Sequence, residues 1–248
     1  MKRHCILMGS AYSIGSRIAL DYCYDDEKQL NKIKKSINNV ISEFADDVPS
    51  LSTHFLQTDS TTWESVIKAD PFFKTVKHVL IEEEFIKMIM KDRVLKGLDI
   101  AKYILAKLPC THLKLEKLVY MSYADYLCET GEKLFDDKIY SYSYGPVIDS
   151  VYKKFRKSGA DIIEDTEIYS KEEKILPIRS RIMSSKDGLK KLSSIDRTLK
   201  KYGELSAEKL VNLTHKPSSP WQKSGAGEYV NKEISDDVII RYHCNEIC

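Results

Sequence analysis

The sequence lacks the patterns that mark disulfide-rich, zinc-ribbon and membrane proteins. Its six cysteines are scattered along 248 residues and include no C-x-x-C pair, which argues against a disulfide framework. No apolar run approaches the roughly 20 residues that a membrane-spanning helix needs. The basic tip of the first eight residues precedes an apolar run that is too short for a signal peptide. We therefore expect a cytoplasmic protein with no membrane partner.

Sequence motifs of common enzymes are also missing. The chain has no G-x-S-x-G elbow, no H-E-x-x-H pair and no Walker loop. The sequence therefore gives no support for an α/β-hydrolase, a zinc metalloprotease or a P-loop NTPase. His215 lies close to Pro217 and Trp221 and is a candidate general base, but a histidine bonded to turn carbonyls is the commoner arrangement. We expect no catalytic residue, no cofactor and no enzymatic activity.

One group of potential metal ligands stands at the C-terminus. His243, Cys244 and Cys248 fall within six residues, and His4 with Cys5 are candidates to join them. Structural zinc sites usually present ligands in tight pairs on firm turns, whereas chain ends are often frayed. We therefore expect no metal site here.

Charge is nearly balanced overall but unevenly distributed. The net charge is only +2, yet residues 171–201 hold ten Lys or Arg against four Asp or Glu, and residues 152–157 add a basic helical turn. Phosphate groups bind to such patches, but a solvated helix face or an acidic protein partner gives the same pattern. DNA binding thus stays open without specific support.

The segment "ILMGSAYSIGSRIAL" at residues 6–20 imitates a nucleotide-binding turn. Gly9 and Gly15 stand where short-chain dehydrogenases have the outer glycines of their fingerprint, which lets backbone N–H groups approach a pyrophosphate. Ser13 replaces the middle glycine, however, and a charged helix follows instead of a second strand with a ribose-binding acid. A nucleotide-binding enzyme built on this turn is the weaker alternative.

Apolar residues recur at helical spacing along most of the chain, which predicts a mainly α protein with minor β structure, an α+β fold. Helix ends have recognisable signals, such as Thr111 as an N-cap and Gly131 as a stop. Pro146, after the turn at Gly145, suits the first position of a helix. Short strands are predicted at 54–56 and within 134–144, and residues 162–178 are irregular or a short strand. The predicted helices are 25–44, 72–90, 94–108, 112–130, 146–157, 185–202, 206–213 and 235–242.

Four groups of residues occur in the order of one known domain family. They are Asp99–Leu105; Lys114–Tyr120 in the pattern K-L-x-K-L-x-Y; Ile139–Val147 with its Gly-Pro-Val; and Leu205–Leu210 followed by Thr214-His215-Lys216 and Pro220-Trp221. From about residue 96 to 245 the sequence therefore resembles the Panacea domain, which occurs in SocA-like antitoxins and phage-associated proteins. Tyr142 stands where that family often has tryptophan, and the first ninety or so residues show no motif that assigns them to a family.

The resemblance implies an antitoxin of a type II toxin–antitoxin system, connected with prophages or phage defence, that neutralises a co-encoded toxin by direct binding. An adaptor that delivers the toxin to a cytoplasmic protease is the alternative within the family. It also implies a compact helical Panacea domain with a short strand pair at residues 93–248, preceded by a smaller accessory region at 1–92. The expected partner-binding residues are Tyr142, Tyr144, Gly145, Pro146, Lys153, Arg156, His215 and Trp221.

Overall fold

A computed structural model of the chain describes residues 1–44, 49–164, 171–225 and 232–247. The chain divides into two compact units, Met1–Val94 and Leu95–Cys248. Most of the regular structure is helical and the strands form two small sheets, which confirms the predicted class of mainly α with minor β. Within the described ranges, no helix is both long enough and apolar enough to cross a membrane.

The first unit is built on a four-stranded sheet in the order β3-β1-β2-β4. Neighbouring strands are antiparallel except β2 and β4, which run parallel. Two short 3₁₀ turns, Tyr12–Ile14 and Pro71–Thr75, complete the unit. Its elements are β1 (Lys2–Ala11), β2 (Ser16–Tyr24), α1 (Glu27–Ser42), β3 (Leu51–Thr58), α2 (Trp63–Ala69), β4 (Val76–His78) and α3 (Glu82–Arg93).

Successive residues of β1 point to opposite faces of this sheet, and each face has its own core. Cys5 and Leu7 pack on the side of α1 and α3. Ile6 and Met8 pack on the other side, with Val66 of α2. The predicted helix at 25–44 is confirmed as α1, whose N-cap Asp26 accepts a hydrogen bond from the Gln29 N–H.

The segment between Gly9 and Gly15 is a hairpin connection, not a nucleotide-binding turn. Gly9 lies within β1 and pairs with Ile18 of β2, while Gly15 has a φ of 63° and closes the 3₁₀ turn before β2. A dinucleotide turn needs a strand that leads into a helix N-terminus. Here one strand leads into its antiparallel neighbour, so the nucleotide-binding alternative loses its geometric basis.

The prediction of one helix at 72–90 was wrong. This stretch contains the 3₁₀ turn Pro71–Thr75, then β4, and only then α3. β4 forms by pairing with β2, more than fifty residues earlier in the chain. Such long-range pairing overrides a local helical pattern. The expected strand at 54–56 is present as the longer β3.

The second unit packs its helices around α5, which has buried residues on all sides. Thr111 caps α5 by accepting a hydrogen bond from the Lys114 N–H, and Gly131 ends it in a left-handed conformation, as predicted. A three-stranded sheet in the order β6-β5-β7 lies in the same unit. The elements are α4 (Gly97–Lys107), α5 (His112–Thr130), β5 (Ile139–Tyr142), β6 (Gly145–Ile148), α6 (Asp149–Phe155), α7 (Lys171–Met183), α8 (Gly188–Tyr202), α9 (Ala207–Thr214), α10 (Pro220–Lys223), β7 (Lys232–Glu233), α11 (Asp236–Tyr242) and α12 (Cys244–Ile247).

Two predictions for this unit need correction. Pro146 does not begin a helix but lies in β6, opposite Ser141 of β5; β6 is an edge strand, where a residue without an N–H group is tolerated. The helix starts three residues later, as α6. In the stretch 162–178, residues 165–170 lie outside the described residues, and α7 begins at Lys171 where irregular structure or a strand was expected.

Candidate partner-binding groove

The Gly-Pro segment forms the second strand of a tight hairpin. Tyr142 of β5 pairs with Gly145 of β6, so only Ser143 and Tyr144 make the turn. Gly145 has a φ of 102°, a backbone conformation that residues with a Cβ atom rarely adopt. A Cβ at this position would also lie 2.9 Å from Oγ1 of Thr214. The backbone angle and the close contact together require glycine here.

The side chains of Trp221 and His215 contact the backbone carbonyl groups of this turn. The Trp221 Nε1–H donates a hydrogen bond of 2.8 Å to the carbonyl oxygen of Tyr142, and the His215 and Trp221 ring centroids are 3.7 Å apart. The His215 Nδ1 lies 2.7 Å from the carbonyl oxygen of Val211, and its Nε2 lies 3.4 Å from that of Ser143. The family motifs Thr214-His215 and Pro220-Trp221 thus supply the support of the hairpin turn.

The side chains of two neighbouring residues of α5 form hydrogen bonds with backbone groups of β6. The buried Lys117 Nζ donates a hydrogen bond of 2.7 Å to the carbonyl oxygen of Pro146. The buried Glu116 Oε2 accepts one of 3.0 Å from the Ile148 N–H. Burial lowers the pKa of Lys117 to about 8, although the nearby carboxylates of Glu116 and Glu246 act in the opposite direction. The second lysine of the K-L-x-K-L-x-Y pattern therefore anchors the Gly-Pro strand.

A groove of about 750 Å³ opens beside the hairpin. The Tyr142 and Tyr152 rings meet edge to face with centroids 5.2 Å apart, and His112 contacts Tyr152 at the same distance. Tyr144, at the tip of the turn, is 71% exposed. Most of the lining is apolar or aromatic, and Arg156 contributes a positive charge. The other lining residues include Thr111, Leu113, Glu116, Lys117, Ser143, Val147, Gly159, Ala160 and Ala207.

The floor of the groove contains a loosely paired histidine and carboxylate. His112 Nε2 lies 3.5 Å from Glu116 Oε1, and neither atom has a hydrogen-bond partner among the residues that the structure describes. Glu116 is fully buried. The groove therefore combines aromatic walls with a polar floor, an arrangement common in binding sites that need both contact area and orientation.

The structure brings some of the predicted partner-binding residues together and separates others. Tyr142, Tyr144 and Arg156 line the groove. Lys153 is exposed outside this lining and pairs with Asp149 at 2.6 Å, four residues earlier on α6. Gly145 and Pro146 are buried and shape the hairpin, while Trp221 and His215 support it. Sequence reasoning assigned no role to the partly buried His112 or to the buried Glu116 and Lys117; the only signal was the family pattern in which Lys117 falls.

The suggested C-terminal metal group is not assembled among the described residues. His243 is buried between two carboxylates, with Nδ1 2.6 Å from Glu246 Oε2 and Nε2 2.9 Å from Asp125 Oδ1. Burial alone would lower the pKa of His243, but these two hydrogen bonds raise it to about 9. Cys248 lies outside the described residues. His4 and Cys5 belong to the first unit and point to opposite faces of its sheet.

Comparison with known proteins finds a family similarity within the second unit. Residues 115–222 match the family model described as the Antitoxin SocA-like, Panacea domain. This part of the chain is therefore similar to SocA-like Panacea domains. The chain is 27% identical to Antitoxin SocA of Caulobacter vibrioides strain NA1000 over 139 aligned residues. The alignment covers 56% of this chain and 72% of that protein. No solved structure matches the chain.

The range matched by the family model contains most of the residues that line or support the groove. Tyr142, Tyr144 and Arg156 of the groove and the supporting His215 and Trp221 all fall within residues 115–222. The resemblance inferred from the sequence is therefore confirmed, and its motifs now have structural roles. The first unit lies outside the matched range.

Proposed function

We propose that this protein is the antitoxin of a type II toxin–antitoxin system and neutralises a co-encoded toxin in the cytoplasm by direct binding. The observation that carries the proposal is the Panacea domain match, because the matched relative is named an antitoxin. Residues 1–92 then form an accessory region attached to the Panacea domain at 93–248.

The groove beside the Gly-Pro hairpin is the proposed toxin-binding surface. Tyrosines dominate binding energies at protein interfaces because a tyrosine offers a large rigid area and a polar tip. Tyr144 projects from a turn that Trp221 and His215 already hold, so little conformational freedom is lost when a partner binds. Arg156 at the groove is suited to a carboxylate on the toxin.

A run of positively charged residues at and beside the groove favours an acidic segment of the toxin. Lys153, Lys154, Arg156 and Lys157 follow one another on and after α6 and are exposed. Among the described residues no carboxylate lies within ion-pair distance of Arg156. An extended toxin segment with an apolar side chain in the groove and an acidic residue beside it would match both properties. DNA would also be attracted to these charges, but it offers no apolar side chain to the groove.

Co-expression with the product of the adjacent gene tests the proposal. We expect the neighbour to be toxic alone, growth to be rescued by this protein, and the two to co-purify. Tyr144→Ala should weaken the complex at least about tenfold, as expected for a central tyrosine. Leu189→Ala is the matched control, because Leu189 on α8 is similarly exposed, at 68%, but lies outside the groove.

Three results would change the assignment. A neighbour that is harmless, or that forms no complex at micromolar concentration, would remove the antitoxin role. Rescue that fails in a protease-deficient host while the complex persists would favour the protease adaptor. Equal toxin binding by Tyr144→Ala and Leu189→Ala would mean that the toxin-binding surface lies outside the groove.

A further inference from the structure

Three potential metal ligands meet on one face of the sheet in the first unit. His4 of β1 stands directly opposite Cys23 of β2, and Asp21 lies two residues before Cys23 on the same face. His4 Nδ1 is 2.8 Å from one carboxylate oxygen of Asp21 and 3.5 Å from Cys23 Sγ. The three ligand atoms all lie within 4.8 Å of one another. His4 and the Asp21 carboxylate are buried, whereas Cys23 is exposed.

The surroundings of His4 fix which ring nitrogen faces the other two ligands. Its Nε2 lies 3.0 Å from the carbonyl oxygen of Ser60, which can only accept, so Nε2 carries a hydrogen. Thr58 Oγ1 lies 2.9 Å from the same nitrogen and donates its own hydrogen to Ser60. Histidine ligands of metals almost always donate their second N–H to a carbonyl or carboxylate in this way.

The separations are close to those of an occupied site. Bond lengths of about 2.0–2.3 Å place the ligand atoms of a tetrahedral zinc ion roughly 3.3–3.6 Å apart. The distance from His4 Nδ1 to Cys23 Sγ, 3.5 Å, already fits. The distance from Nδ1 to the nearer Asp21 oxygen, 2.8 Å, is that of a hydrogen bond and must lengthen by about half an ångström on binding.

We propose that His4, Asp21 and Cys23 form a binding site for a thiophilic divalent cation, with Zn²⁺ the best match. Imidazole, carboxylate and thiolate are its common protein ligands, and water from the open side of Cys23 completes the coordination. Binding replaces two protons, the thiol proton of Cys23 and the proton shared by His4 Nδ1 and Asp21. Both protons leave to solvent as the metal–sulfur, metal–nitrogen and metal–oxygen bonds form.

A nucleophilic role for Cys23 fits these observations less well. Although Cys23 is exposed, partial desolvation of its sulfur by the surrounding protein and the Asp21 carboxylate raise the pKa of Cys23 to about 11, so the thiolate is scarce at neutral pH. A metal ion reverses this effect, because its charge is located between the sulfur and the carboxylate. The same charge joins β1 and β2 through their side chains, which should stabilise the first unit.

Cobalt titration of the full chain, with a non-thiol reductant present, tests the site. We expect a saturable signal at one Co²⁺ per chain, with visible bands of a tetrahedral ion and a near-ultraviolet thiolate charge-transfer band that Zn²⁺ displaces. Cys23→Ser should abolish the charge-transfer band. Asp21→Asn should weaken binding at least about tenfold, because even indirect partners of metal ligands have effects of this size.

Cys128→Ser is the matched control and should leave the cobalt spectrum unchanged. Cys128 is also exposed and its pKa is also raised to about 11, mainly by partial desolvation of its sulfur, but it belongs to no potential ligand group among the described residues. Absence of a saturable signal, or the same thiolate band in Cys23→Ser, would overturn the proposal.

A second measurement needs no variant and therefore does not depend on the folding of Cys23→Ser. Mass spectrometry can follow the alkylation of each cysteine in the native full chain with and without one equivalent of Zn²⁺. We expect Zn²⁺ to slow alkylation of Cys23 at least about tenfold and to leave Cys128 and Cys244 unaffected, since a bound thiolate is no longer a free nucleophile. Equal rates at Cys23 with and without Zn²⁺ would refute the site.

Discussion

The Trp221 Nε1–H donates a hydrogen bond of 2.8 Å to the carbonyl oxygen of Tyr142, across 79 residues of sequence. This bond connects the last motif of the Panacea domain to the turn that displays Tyr144. Trp221 is half-buried and packs against the core of the second unit. The side chain therefore has two roles, packing and support of the turn, that a substitution can separate.

Trp221→Phe should remove the hydrogen bond and keep much of the packing. We expect the free energy of unfolding to fall by about 0.5–1.5 kcal/mol, the usual net value of one hydrogen bond, and toxin binding to weaken because the turn is less well held. Thermal melts and binding measurements on the same sample check this. A variant with unchanged melting and unchanged binding would show that the bond does not support the turn.

Gly145→Ala should destabilise the Panacea domain more than Gly131→Ala does. Both glycines have positive φ, 102° and 73°, but a Cβ at Gly131 meets nothing within 4 Å, whereas one at Gly145 approaches Thr214 and Lys117. Backbone strain costs about 1–3 kcal/mol at either position, and the contacts add to it only at Gly145. Denaturant unfolding of the two variants measures the difference, and equal losses would contradict it.

Local signals predicted the ends of helices but not the pairing of distant strands. Thr111 and Gly131 were identified correctly because a cap or a stop depends on a few neighbouring residues. Pro146 was misplaced because its fixed φ suits a helix start, and nothing nearby in sequence shows that Lys117 and Glu116 satisfy the backbone of β6. The His4–Asp21–Cys23 group was missed for the same reason, since the β1–β2 register brings it together.

Reversing the charge of Lys153 and Arg156 together to glutamate should spare folding and weaken an acidic partner. Both residues are exposed, and the ion pair of Lys153 with Asp149 contributes little at the surface. Lys190→Glu on α8 is the charge control, because Lys190 is exposed but lies outside the groove. Pull-downs with the toxin and thermal melts separate the effects. A melted double variant would mean that this helix face is buried in the native protein.

His243 should make the protein more stable at neutral than at alkaline pH. Its pKa is raised to about 9 by hydrogen bonds to Asp125 and Glu246, which outweigh burial, from an ordinary value of 6.5. Between these two values the folded state holds more protons than the unfolded state, so this stabilising contribution is complete below pH 6.5 and is lost as pH rises through 9. The expected loss is on the order of 3 kcal/mol.

The effect of His243 can be isolated by comparing the native protein with His243→Gln across this range. The comparison is needed because Lys117 acts in the opposite direction: its pKa is lowered to about 8 by burial, so its contribution raises stability between pH 8 and its ordinary 10.5. The advantage of the native protein over His243→Gln should shrink steadily from pH 6.5 to 9. An advantage that stays constant would mean that His243 does not titrate in this range.

A fragment that begins at Leu95 should fold alone, and one that begins at Gly97 should be less stable. Leu95 is fully buried in the core of the second unit, and its carbonyl oxygen accepts a hydrogen bond of 2.9 Å from the Asp136 N–H. Removing Leu95 should cost about 2–5 kcal/mol, the usual range for truncating a buried leucine. Cooperative unfolding of both fragments, followed by circular dichroism, measures this difference. If the fragment from Leu95 folds but no longer binds the toxin, the first unit contributes to recognition; if it does not fold, the Panacea domain depends on the residues before it.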